Sequence, residues 1–84
     1  MQWNSEVKAK YDTMLKKIPV FHRGITDEIV KEKAPMLAAQ RGSGCVEECD
    51  VVRAFTDEVP KCFYSMMIRL MDDVGLDHKK YDRE

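Results

Sequence analysis

Long apolar runs are missing from this chain, and none of its stretches approaches the roughly 20 residues that span a bilayer, so a membrane-crossing helix is excluded. An excess of charge is missing too. Fourteen basic and 15 acidic side chains leave a formal charge of -1, too weak a field to gather nucleic acid or an anionic membrane. Cysteine is sparse and odd in number: Cys45, Cys49 and Cys62 cannot all pair within one chain, which excludes a secreted disulfide scaffold and points to reduced thiols. There is no Gly-rich phosphate loop, no nucleophile elbow and no HExxH, so the common signatures of phosphoryl transfer, hydrolysis and zinc proteolysis are absent. The opening "MQWNSEVKAK" lacks the apolar core and small-residue cleavage pattern of a signal peptide, and a cytoplasmic protein is expected.

What remains is an ordinary globular composition, 44% hydrophobic and 35% charged, in a length that allows one small core. Val7, Tyr11, Met14, Leu15 and Ile18 recur at helical spacing and predict a helix over residues 5 to 17. Asn4 or Ser5 can cap its start, Lys16 and Lys17 suit its negative end, and Pro19 stops it. A second helix is expected to open at Thr26, with Ile25 and Val30 as a hydrophobic staple, and to kink or break near Glu32 to Ala34 ahead of Pro35. Gly42 suits the left-handed position after it. Cys45 and Val46 fit an extended pair, followed by a short helix from about Glu48 to Thr56 that turns Cys49, Val52 and Phe55 inward. Pro60 suits the start of a last helix, which carries Phe63, Met66, Met67, Leu70, Met71 and Val74 and stops at Gly75, with Leu76 folded back.

These elements predict an all-α fold, a compact bundle of four to five short helices over residues 1–76, with 77–84 a charged, frayed tail. The expected core is Trp3, Leu15, Ile18, Phe21, Val30, Leu37, Val52, Phe55, Phe63, Met67 and Leu70.

Candidate chemistry sits in three places. Cys45 and Cys49, one helical turn apart if both are helical, could share a metal ion or a reversible disulfide with Cys62 and a histidine, although structural zinc sites usually pair two short ligand clusters. The competing reading is that of small buried hydrophobes. Met66, Met67 and Met71 form a stripe of adaptable thioethers, suited to a flat ligand or partner helix or, equally, to core packing. The stretch "KKIPVFHRG", residues 16 to 24, reads as an architectural corner in a loop. Pro19 ends one helix, Phe21 swings back over the junction, Arg23 reaches free carbonyls at a helix end and Gly24 takes a backbone angle closed to other residues. Its other reading is ligand or partner contact through Phe21, His22 and Arg23, because His22 has no orienting carboxylate nearby and does not make a mechanism alone.

Trp3, a charged amphipathic helix and then "LKKIPVFHRG" resemble the protochlorophyllide reductase 57 kDa subunit-type small domain, in which the pattern runs Trp, helix, Lys-Ile-Pro-x-Phe-x-Arg-Gly. The likeness continues through "CVEECDVVRAF". That domain forms the C-terminal part of the B subunit of light-independent protochlorophyllide reductase, a nitrogenase-like enzyme, and also occurs free-standing. The resemblance implies a helical, non-catalytic binding or interaction module, accessory to an oxidoreductase at most, that contacts a tetrapyrrole or a nitrogenase-like protein partner. No cofactor of its own is expected. A small thiol redox or metal-binding protein using Cys45, Cys49 and Cys62 is the alternative, and a homo-oligomer is a third possibility.

Overall fold

The computed structural model of the protein describes residues 2–81. Helix α1 runs from Ser5 to Lys17, and Asn4 caps it by accepting hydrogen bonds from the backbone N–H of Glu6 at 2.9 Å and of Val7 at 3.2 Å. Ile18 then turns to extended backbone, as a residue before proline must, and buries its side chain. Val7, Tyr11 and Met14 form the buried stripe of α1.

Helix α2 corrects the expected start. It begins at Val20, not Thr26, and continues to Gln40. Pro19 serves both helices: its ring ends α1, and its carbonyl accepts the N–H groups of His22 at 2.9 Å and Arg23 at 3.0 Å, which launches the next helix after a two-residue joint. The segment Val20–Gly24 is therefore helical rather than a loop, and Thr26 is an interior residue rather than a cap. Gly24 needs no special backbone angle; the positive φ values among the described residues belong to Gly42 and Gly75. Nor does the helix break at Pro35, since the helical assignment is continuous through it. A 21-residue helix that buries Val30, Ala34, Leu37 and Ala38 on either side of Pro35 retains enough other hydrogen bonds and contacts to carry one missing N–H.

At the far end of α2, Gly42 takes φ +79° and Ser43 donates its N–H back to Ala38 O at 2.9 Å, a Schellman closure. The chain then enters a two-residue strand, β2, at Cys45–Val46. It pairs in parallel with β1, Gln2–Trp3, with Gln2 opposite Cys45 and Trp3 opposite Val46. The extended pair at Cys45 was legible; its partner, far away in sequence, was not. Helix α3 follows at Glu48–Arg53 and relaxes into a π-helical turn over Ala54–Glu58. Pro60 precedes a 3-10 turn, Lys61–Phe63, which leads into α4, Tyr64–Val74. Gly75 at φ +83° ends α4, and Leu76 folds back, buried, with its N–H on Met71 O at 2.9 Å.

The result is a mostly helical bundle with one tiny parallel ribbon. Ile18, Val30, Leu37, Val52, Phe55, Met67 and Leu70 are buried as expected, while Trp3, Leu15 and Phe63 pack against the core half-exposed. Phe21 was expected inside and lies outside. Tyr11, whose ring sits between those of Trp3 at 5.2 Å and Phe55 at 5.9 Å, is the largest fully buried side chain. The start of the expected frayed tail is held to the body: Asp77 N–H donates to Glu48 Oε2 at 3.2 Å, and the His78 ring meets Asp72 at 2.7 Å. A 3-10 turn covers Lys79–Tyr81, and residues 82–84 lie outside those described. No helix among the described residues is long and apolar enough to cross a membrane.

Candidate functional site

The first two turns of α2 present apolar side chains to solvent. Phe21 is 86% exposed, Val20 69% and Ile25 52%. Phe21 and Ile25 lie on the side of the helix away from Thr26, Val30 and Ala34, which face the core, Val20 stands on the flank, and Gly24 has nothing within 4 Å of where a Cβ would be. The corner beneath them is closed by Arg23, whose Nε is buried with no hydrogen-bond partner among the described residues. Arg23 turns its guanidinium back and donates to the carbonyls of Lys16 at 3.2 Å and Ile18 at 3.0 Å, satisfying acceptors that α1 leaves free at its end. His22 packs against Phe63 in a tilted pair, 4.3 Å between ring centroids, which joins the start of α2 to the 3-10 turn that leads into α4.

Of the residues singled out by sequence, Phe21, His22 and Arg23 thus separate into distinct roles. Phe21 projects outward, His22 is half-buried as a ring packed on a ring, and Arg23 is a clasp between helices. Arg23 reaching helix-end carbonyls was expected; Phe21 swinging back was not observed, because a helical start at Val20 points it away from the junction. The methionine stripe divides as well. Met67 and Met71 are fully buried in the core, so surface contact through them is corrected, and Met66 alone of the three is half-exposed.

The cysteines do not converge on a centre. Cys45 lies on β2, Cys49 on α3 and Cys62 is exposed on the 3-10 turn before α4. No group of three or more His, Cys, Asp or Glu among the described residues is arranged to hold a metal ion. Burial pushes the Cys45 thiol up, and the Glu47 carboxylate pushes it further. Cys49 is likewise raised, by burial first and then by the charge of Asp50. Both thiols are therefore held in the poorly nucleophilic form.

Sequence reading missed the most strongly bonded cluster. Asp50, fully buried, accepts two hydrogen bonds from Arg41, 2.8 Å from Nε and 2.6 Å from Nη2, and also accepts the N–H of Glu47 at 2.9 Å in a capping box. Glu47 in turn accepts from Asn4 Nδ2 at 3.2 Å, so the network ties the start of α1, the end of α2 and the start of α3 together. Burial pushes the Asp50 carboxyl up, but the Arg41 hydrogen bonds and the Glu47 N–H outweigh it and hold the group below the usual carboxylate range. A shallow cleft of about 280 Å³ opens beside this network, lined by Asn4, Glu6, Val7, Lys10, Glu47 and Glu48. With Val7 its one apolar contribution, that lining does not suit a hydrophobic ring system. The sequence signal that could have found the network is the N-cap acid Glu47 followed three residues later by Asp50.

No family model matches the chain, and neither the curated proteins nor the solved structures yield a similar protein.

Proposed function

We propose that this protein is a non-catalytic binding module whose contact surface is the apolar start of α2. The observation that carries the reading is the exposure of Phe21 together with Val20 and Ile25 on a corner that is otherwise closely bonded. An isolated exposed leucine would mean little, but large apolar residues exposed together within the first two turns of one helix mark surfaces that meet something else. The Trp3 to Gly24 resemblance supplies the class of partner: a nitrogenase-like reductase subunit or the tetrapyrrole such an enzyme handles, with this chain as its cytoplasmic accessory. The alternative thiol role is less favoured, because Cys45 and Cys49 have raised thiols and Cys62 stands on a different element.

The test is a titration of the purified protein with protochlorophyllide and, separately, with purified subunits of a nitrogenase-like reductase, followed by fluorescence anisotropy. Saturable binding that Phe21→Ser removes, with the melting temperature unchanged, is the expected result. Binding that is indifferent to Phe21→Ser, or no binding to either, counts against the reading. Thiol titration addresses the rival: the exposed Cys62 is expected to react first and Cys45 and Cys49 slowly, and a disulfide between Cys45 and Cys49 under mild oxidant would favour redox chemistry.

A further inference from the structure

We draw no further inference here: the strongest candidate, the exposed apolar patch of Val20, Phe21 and Ile25 at the start of α2, belongs to the site already described, and nothing in the structure shows what covers it.

Discussion

At its C-terminal end α2 is followed by Arg41, which reaches the buried Asp50 and joins a network of polar groups that each have partners; at its N-terminal end the same helix leaves more than half of Phe21, Val20 and Ile25 exposed. One end inverts the other. Where a charge is buried, the chain supplies a bidentate cation, a capping N–H and a second carboxylate held by Asn4. Where apolar surface is exposed, it supplies only a corner held by Arg23 and the tilted His22–Phe63 pair. Burial of a carboxylate is tolerable only with such compensation, whereas exposure of an apolar side chain costs the monomer little and leaves free energy to be gained on association. The difference teaches that the Arg41 end is tied into the fold by buried polar contacts, whereas the exposed side chains at the Phe21 end contribute little to its closure.

The contrast breaks most visibly at Asp50. Asp50→Ala removes the acceptor of the Arg41 pair and half of the capping box, and is expected to cost about 3 kcal/mol in denaturant unfolding. A loss below about 1 kcal/mol would mean that solvent replaces the network without penalty. Acid probes the same group without mutation. Because the folded carboxyl lies below its unfolded value, its contribution is complete above the unfolded value of about 4 and disappears as pH falls through the folded one. Stability should therefore decline on acidification more steeply in the native protein than in Asp50→Asn.

Smaller effects sharpen the comparison. Tyr11, buried within its aromatic trio, donates from its hydroxyl to Asp27 at 2.6 Å, and Tyr11→Phe should cost about 1.5 kcal/mol by thermal unfolding. Gly24→Ala should act in the opposite direction. The position is helical and exposed, its φ is ordinary and a Cβ there meets nothing, so a gain of about 0.7 kcal/mol in the same measurement is expected. A loss instead would restore the idea of Gly24 as a hinge. Phe21→Ser should leave stability within about 0.5 kcal/mol while removing partner binding, the pairing of effects that separates a contact residue from a structural one.

Much of the fold was legible. The bounds of α1, the caps at Asn4, Gly42 and Gly75, the extended pair at Cys45 and the buried stripe of α4 follow from local rules that act over three or four residues. The candidate site was legible only in part. Pro19 was read as a terminator, although the fixed φ that stops one helix also starts another, and that single inversion moved Phe21 from the core to the surface and turned a presumed loop into a helical turn. Thr26 shows the same limit. Its hydroxyl suits a cap by type, yet it is buried in mid-helix with no hydrogen-bond partner among the described residues.

The sequence by itself determined the helical class, the places where helices end and the identity of most residues that pack, because periodicity, proline rings and left-handed glycines act on the nearby backbone. Tertiary structure alone decided the rest. It set which strand pairs with Cys45–Val46, that Arg41 and Asp50 meet, and that Phe21 on α2 is left exposed. Those outcomes depend on which surfaces remain once a small core has closed, and that quantity is a property of the whole packed chain rather than of any window along it.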